Sequence, residues 1–529
     1  MKKTFTDIDS EALDALILRV QEAIEHDLAL STQDCQLLLD ALMTLASLQE
    51  RLADNDITLH KLRKLVGMVR SSEKMNTVLG KARTQRSNAP KRSKKKHPPV
   101  APVKPEVKTH KLNELSKGDT CPECQQGTLY KYDPATLLRI RGQSPFIPEQ
   151  HVMERLRCNA CGAYFTAELP PEVQADGESG QKYGYSARTL MALDKFYAGA
   201  PYYRQQSVQG LLGIKLAAST IFDQTEWLAN AIAPVHQVLQ QYAAQARHYF
   251  LDDTGNRILD KKPQLRKKRN SETLQERSGV YSSGLIAMMP EGHTIVLYQT
   301  NIGHAGEFID EILSRRKPGH SPPLLMSDAL SSNRPSQKYE VHHCLCNSHG
   351  RRQFMDVEHH FPDEVAQILT WYGEIWSNNE HAESEELSEA ARLSYHKIHS
   401  LPVMERIRCF GQELLASGQV EANSGLGKAI AYFNKHYSGL SAFCHQAGAQ
   451  LDNNEAERML KLVARNRKNA MFHKTQAGAS IADVVMSMLA TTAEAGVNVF
   501  DYFNALQQRQ AEVKANPESF LPWNYRTTI

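Results

Sequence analysis

Between positions 248 and 345 the apolar residues fall in short runs separated by turns, a pattern that few architectures other than a sheet with covering helices can satisfy. His248-Tyr-Phe-Leu-Asp-Asp253, residues 279–289 and residues 293–300 predict a three-stranded meander, with a charged turn at 260–278. A helix over 306–315 follows, then Pro323-Leu-Leu-Met-Ser-Asp328 as a fourth, buried strand, then a further helix and Glu340-Val-His-His-Cys-Leu345 as a fifth strand. This alternation describes an α/β layer. Asp252 and Asp328 each end an apolar strand, at the sheet edge where ligands gather.

A second constraint lies downstream, in residues 452–469. Asp452 with Glu455 three residues on reads as a capping box, followed by Ala456, Met459, Leu460 and Val463 at helical spacing. Glu457 sits at the edge of that apolar stripe, with Arg458, Lys461, Arg465 and Lys468 on the flank beside it. A solvated face with Glu-to-Lys pairs is the plain reading of such a helix. The excess of basic groups on the flank, with two Asp-bearing strand ends upstream, points instead to a polyanion and a metal-dependent nuclease pattern.

The 529 residues are enough for several domains with their own cores. Residues 1–80 are helical and leucine-rich, with Ser31 and Asp34 as a cap and Leu38, Leu45 and Leu52 repeating at seven; either an oligomerisation element or an intramolecular bundle fits. Residues 81–111 hold eleven Lys or Arg against the single Glu106, although the whole chain is only +3. With five prolines around Lys94, Lys95 and Lys96, this stretch reads as a linker able to grip phosphate backbones; a nuclear-import signal has the same composition. No run of 18 apolar residues and no signal-peptide core occurs, so the expected compartment is the cytosol, at the nucleoid if DNA is bound, with no membrane partner.

Cys121-Pro-Glu-Cys124 and Cys158-Asn-Ala-Cys161 predict a four-cysteine Zn2+ ribbon within a domain at 112–172. A closed thiolate shell leaves no open position, so the zinc is assigned to structure. Residues 180–245 read as helical, with a helix-turn-helix spacing around Gly213 that leaves Ser219, Thr220, Gln224 and Thr225 available on the second helix. The catalytic domain is placed at 246–475, with a helical insertion at about 355–445, and a helical tail at 476–529. His342, His343, Cys344, Cys346 and His349 could form another metal site, but strand alternation favours ordinary packing.

Asp252, Asp328 and Glu457 lie 76 and 129 residues apart and can converge if the sheet and helix pack together. Three carboxylates in one pocket stay ionised only when divalent cations neutralise them, and hard oxygen ligands favour Mg2+ or Mn2+. Two such ions suit in-line phosphoryl displacement.

With these motifs the chain resembles insertion-sequence-66-type transposases, DDE recombinases with an RNase H-like core. The resemblance rests on Arg70-Ser-Ser-Glu-Lys74, the two cysteine pairs, Tyr203-Arg204-Gln205, Leu251-Asp-Asp-Thr254, Cys346-Asn-Ser-His-Gly-Arg-Arg-Gln-Phe354, Asp452-Asn-Asn with Glu457-Arg458, Arg467-Lys-Asn469 and Leu521-Pro-Trp-Asn524. It implies a metal-binding triad of Asp252, Asp328 and Glu457, with Glu455 outside it, and Asp310 and Asp356 as competitors of Asp328. It sets His349, Arg351 and Arg352 near the active site and Arg467 and Lys468 among the DNA-binding residues. Two positions depart from the family pattern: Asp253 stands where Glu is usual, and Ala464 stands seven after Glu457, leaving Lys461 or Arg465 to contact the terminal DNA. The implied activity is strand hydrolysis at element ends and joining of the 3′ hydroxyl to target DNA, by a homo-oligomer, with accessory proteins of the same element as further partners. A nuclease without strand joining, or a non-catalytic DNA-binding protein or partner-dependent subunit, are the rival expectations. For the zinc assignment, freshly purified, reduced protein should carry about one zinc per chain, and Cys158→Ser should remove it while leaving the α/β core folded; metal analysis finding no zinc would overturn the assignment.

Overall fold

The computed structural model describes residues 10–26, 28–39, 117–120, 125, 128, 144–157, 164–178, 180–267 and 273–525. The chain divides into two units, residues 1–89 and 90–529. In the first, α1 (Ser10–Glu25) precedes a helical stretch at 32–39. Its start is capped as expected: the Asp34 N–H donates to Ser31 Oγ (3.1 Å), the Ser31 hydroxyl donates to Asp34 Oδ2 (2.7 Å), and Arg19 pairs with Asp34 at 2.8 Å. Leu45 and Leu52, the 70–74 motif, Lys94, Lys95, Lys96 and the four cysteines Cys121, Cys124, Cys158 and Cys161 lie outside the described residues.

The second unit opens with the hairpin β1 (Arg155–Arg157) and β2 (Tyr164–Thr166), then α2 (Pro171–Ala175), α3 (Tyr185–Phe196), α4 (Tyr202–Leu211) and α5 (Ala218–Ala243). The turn between α4 and α5 uses Gly213 at φ +84°, a backbone region that side chains disfavour. Here the expectation of four available polar positions needs correction. Thr225 is fully buried with its hydroxyl 3.0 Å from that of Tyr202, and Gln224 accepts from Arg188 Nε at 2.8 Å. The second helix also runs on for 26 residues, burying Leu228, Ile232, Val235 and Leu239 in the main core.

The sheet follows: β3 (His248–Asn256), the small hairpin β4 (Gln264–Lys267) and β5 (Leu274–Arg277), then β6 (Val280–Met288), β7 (Thr294–Ile302), α6 (Ala305–Leu313), β8 (Leu324–Ser327) and β9 (His342–Leu345). Its five strands run in the order β7-β6-β3-β8-β9, antiparallel across the meander and parallel from β3 through β8 to β9. The charged turn at 260–278 contains β4 and β5. The helix expected between β8 and β9 is instead a single 3-10 turn, Ser331–Asn333. The Asp328 carboxylate takes the Leu330 N–H (3.1 Å) and the Asn333 amide (2.9 Å), a local hydrogen-bonding alternative that competes with a helix.

Helices α7 (Asn347–Met355), α8 (Pro362–Ser384), α9 (Glu389–His399), α10 (Leu401–Ala416) and α11 (Gly425–Leu440) form the helical insertion and its entry. After α12 (Asn454–Ala470) come α13 (Gln476–Glu494), α14 (Val499–Gln508) and α15 (Gln510–Ala515). α13 lies along β7, the edge strand. Asp483, Ser487 and Thr491, one helical turn apart, accept the β7 N–H groups of Thr300 (2.7 Å), Tyr298 (2.9 Å) and Val296 (3.0 Å). A polar row on a helix thus satisfies donors that a neighbouring strand would otherwise take. No helix among the described residues is long and apolar enough to cross a membrane.

α12 packs against β3 and β6, and Gly284 of β6 makes the close approach possible: a Cβ there would meet Leu460 Cδ2 at 3.0 Å. The expected capping box is not formed. Asn453 is the N-cap residue, no side chain caps the helix, and Asp452 instead accepts from the Asn454 N–H (3.1 Å) and the Asn454 side chain (2.6 Å). Asn453 is fully buried, and its Nδ2 donates to the Leu251 carbonyl of β3 at 2.9 Å. Asn453→Ala strands that carbonyl in the core and should cost about 1–3 kcal/mol of stability in denaturant melts; an unchanged midpoint would show that the contact does not hold the helix.

Candidate active site

Asp252 and Asp328 reach the same end of the sheet because β3 and β8 are parallel neighbours. The last register pair is Phe250 with Met326, so each aspartate stands two residues beyond it, in the same phase of strand alternation. Asp253 turns to the other side, where its Oδ2 accepts from the Ala305 N–H (3.2 Å) and lies 2.9 Å from His304 Nδ1. It therefore caps the start of α6 from the neighbouring strand. Glu457 stands on the first turn of α12, and its charge acts on the Asp252 carboxyl.

The electrostatics register this convergence. Burial pushes the Asp252 carboxyl up to about 7, the Asp253 N–H bonded to its Oδ1 at 2.8 Å opposes that, and the charges of Asp328, Asp253 and Glu457 raise it further. Asp310 accepts the Ser336 N–H at 2.7 Å, and Asp356 is exposed beyond α7. Asp452 is also raised, by burial first and then with Glu457 contributing. A half-buried carboxylate cluster of this kind, with Glu457 Oε1 buried and without a hydrogen-bond partner, is a donor set suited to a hard divalent cation.

Cys346 and two asparagines join the segments that carry these acids. The Cys346 N–H donates to the Ser327 carbonyl (3.0 Å) beside Asp328, and the Asn453 N–H donates to Cys346 Sγ (3.2 Å). Asn347 donates from its side chain to the carbonyls of Leu440 (2.8 Å) and Leu451 (3.2 Å). Neither asparagine was singled out in the sequence, and only the Asp-Asn-Asn and Cys-Asn motifs that contain them offered a signal. Tyr432 of α11 was also missed; burial raises its hydroxyl to about 12, with Asp328 and Cys346 contributing.

The basic candidates divide. Arg458, Lys461, Arg465 and Lys468 are exposed along α12, with Arg465 over the Tyr197 ring at 5.3 Å. Arg467 is half-buried and donates to Thr254 Oγ1 (2.9 Å) and to the Gly255 carbonyl, fastening α12 to the strand beyond Asp252. His349 approaches Glu457, Nε2 to Oε1 at 3.8 Å; Arg352 is exposed, and Arg351 is half-buried against Met355. His343 packs as expected, 2.9 Å from Ser327 Oγ, with burial pushing its imidazole down to about 4, while His342 is exposed.

A pH dependence follows. The folded Asp252 carboxyl is raised from 3.8 to about 7, so its contribution to stability is present below about 4 and lost as pH rises through about 7. In metal-free protein Asp252→Asn should remove a loss of at most ~4 kcal/mol across that window. Thermal melts from pH 4 to 8 should show the variant gaining on wild type as pH rises, and Mg2+ should raise the melting temperature of wild type alone; parallel pH curves would refute the shift.

Three proteins of Sinorhizobium fredii (strain NBRC 101917 / NGR234) are similar to the chain. Uncharacterized protein y4jD is 27% identical over 186 residues, 34% of this chain and 36% of that protein. Uncharacterized protein y4hP is 23% identical over 71% of this chain and 67% of that protein, and uncharacterized protein y4qI 20% identical over 64% and 61%. The chain thus spans from about a third to two thirds of the length of these relatives. The description Transposase IS66 family matches residues 181–481, a span that contains the sheet, Asp252, Asp328, the Cys346–Phe354 motif and Glu457, and the chain belongs to that family.

Proposed function

We propose that the protein is a DNA transposase that hydrolyses a DNA strand at element ends and joins the freed 3′ hydroxyl to target DNA. The observation that carries this reading is the placing of Asp252 and Asp328 at the same end of two parallel neighbouring strands, with the charges of Asp328 and Glu457 acting on the Asp252 carboxyl. The strand order β7-β6-β3-β8-β9, third-second-first-fourth-fifth in the chain order of the sheet, supports an RNase H-like core. Asp252, Asp328 and Glu457 would hold Mg2+ or Mn2+, which when bound would supply activation of a water or sugar hydroxyl and stabilisation of the leaving oxygen.

The protein's own groups do the rest. Asn453 and Cys346 fix the relative position of the strand ends and α12, so the three carboxylates are set before DNA arrives. Arg458, Lys461, Arg465 and Lys468 line the exposed side of the helix that bears Glu457 and neutralise phosphates near the cut, while Lys94, Lys95 and Lys96 add affinity independent of sequence. Arg467 orients α12. The zinc ribbon draws support from its surroundings: the antiparallel pairs Thr120 with Thr128 and Arg157 with Tyr164 bracket the two Cys-x-x-Cys segments, as hairpin-borne thiolate pairs require.

The two acids on the first turn of α12 test this reading. Glu457→Gln supplies a poor ligand for a hard cation and should lower Mg2+-dependent cleavage and joining by at least about a hundredfold, with DNA binding retained in gel shifts. Glu455 is exposed and takes no part in a cap, so Glu455→Gln should stay within about twofold of wild type. The reverse pattern would assign the catalytic position to the wrong glutamate.

A further inference from the structure

Cys346 and His349 belong to the family motif, yet the carboxylate chemistry uses neither. Cys346 stands at the N-cap of α7, and His349 lies three residues on, so the Cys-x-x-His spacing turns both side chains to one side of the first helical turn. Glu457 faces them from α12. The Cys346 Sγ, one His349 ring nitrogen and one Glu457 carboxylate oxygen all lie within 4.8 Å of one another. The edges of a zinc tetrahedron with nitrogen, oxygen and sulfur ligands are about 3.3–3.8 Å, so shifts on the order of 1 Å would close the shell.

We propose that Cys346, His349 and Glu457 form a second metal site, for a thiophilic divalent cation of the Zn2+ class, whose occupation draws Glu457 away from Asp252 and Asp328 and so restrains cleavage.

Two further observations support it. Glu457 Oε1 and His349 Nδ1 are both buried and without a hydrogen-bond partner, so the site has polar atoms whose needs the protein leaves unmet. The sulfur is held in place: burial pushes the Cys346 thiol up to about 11, and the Asn453 N–H, donating to Sγ at 3.2 Å, opposes that and would support the thiolate once a cation displaces its proton. Cys346 itself is 1% exposed, whereas the His349 and Glu457 side chains are 25% and 32% exposed, which gives a cation an entry from the side of the carboxylate cluster. The donor set discriminates between cations. Thiolate and imidazole select zinc and its relatives, while Mg2+ keeps to oxygen, so Glu457 is shared by two sites of different taste. On binding, the Cys346 thiol proton passes to solvent, the imidazole stays neutral and a water completes the shell.

The metal-binding arm stands independently of the transposase reading; the restraint on cleavage rests on it. Full-length protein with its Cys-x-x-Cys pairs already zinc-loaded is titrated with Zn2+ and separately with Cd2+, by calorimetry in buffers of different ionisation enthalpy. One additional site per chain that releases a proton is expected, weakened at least about tenfold in both Cys346→Ser and His349→Ala. Cys346→Ser keeps an acceptor for the Asn453 N–H, and His349 is partly exposed, so at least one variant should stay folded, as thermal melts will show. Cys409→Ser, an exposed thiol elsewhere, should bind as wild type does. Absence of the additional site in wild type, or its persistence in a folded Cys346→Ser or His349→Ala protein, overturns the proposal.

In Mg2+, one further equivalent of Zn2+ should slow wild-type cleavage about tenfold relative to its own zinc-free rate, and each variant less than about twofold relative to its own. Equal inhibition of all three would refute the capture of Glu457 even with binding intact. A protein that never cleaves DNA in Mg2+ would refute the transposase reading and leave the metal site to the calorimetry.

Discussion

The buried amide of Asn453 is the contact on which the arrangement of the carboxylates depends. Its side chain holds the Leu251 carbonyl, one residue before Asp252, and its backbone N–H holds Cys346, whose own N–H holds the Ser327 carbonyl, one residue before Asp328. Glu457 stands four residues further along α12. Three segments separated by up to two hundred residues are thus referenced to one point in the core. Hydrogen bonds in such a place are modest in net worth but costly to leave unmade, which makes the geometry specific rather than merely stable.

That rigidity is needed because the carboxylates themselves oppose it. Asp252 is half-buried with like charges around it, and burial first, then those charges, hold its carboxyl above the usual range. Like charges held together in this way repel, and the surrounding frame has to carry that cost. Part of the frame is Gly284, paired with Asp252 across β3 and β6, where a missing side chain lets Leu460 seat α12 against the sheet. Another part is Arg467, which ties the far end of the same helix to Thr254 and Gly255.

The edge of the sheet shows how the same chain protects its framework. β7 would present free N–H groups to any passing strand, and the row Asp483, Ser487 and Thr491 on α13 takes them. Asp483 is fully enclosed in this role, and burial pushes its carboxyl up to about 7 despite the bonds from Thr300. The helix is apolar enough to pack and polar in one row, so the edge is closed without a sixth strand.

The strands, the helical insertion and the amphipathic helix beginning near 454 were legible because burial imposes period two or period 3.6 on the residues themselves. The two aspartates were legible as acids at strand ends, and Glu457 as an acid at a helix start. What a helix start looks like was misread: Asp452 and Glu455 satisfy the capping pattern, yet Asp452 bonds to Asn454, and the buried Asn453 takes the cap position because the core, not the helix, claims its side chain. Thr225 looked available because helical spacing cannot tell which face a neighbouring helix will cover. The 3-10 turn after β8 escaped notice because Asp328, read as a ligand, also organises the loop that follows it.

The sequence by itself therefore determined the five strands of the sheet, the amphipathic helices, the candidate acids and the family motifs, all of which depend on residues near one another in the chain. Only the tertiary structure decided that Asp252 and Asp328 lie abreast on parallel strands, that Asp253 turns away to cap α6, and that Cys346 and His349 come within reach of Glu457. Those outcomes follow from strand register and from where a buried asparagine finds its partner, and both are set by contacts between residues far apart in sequence.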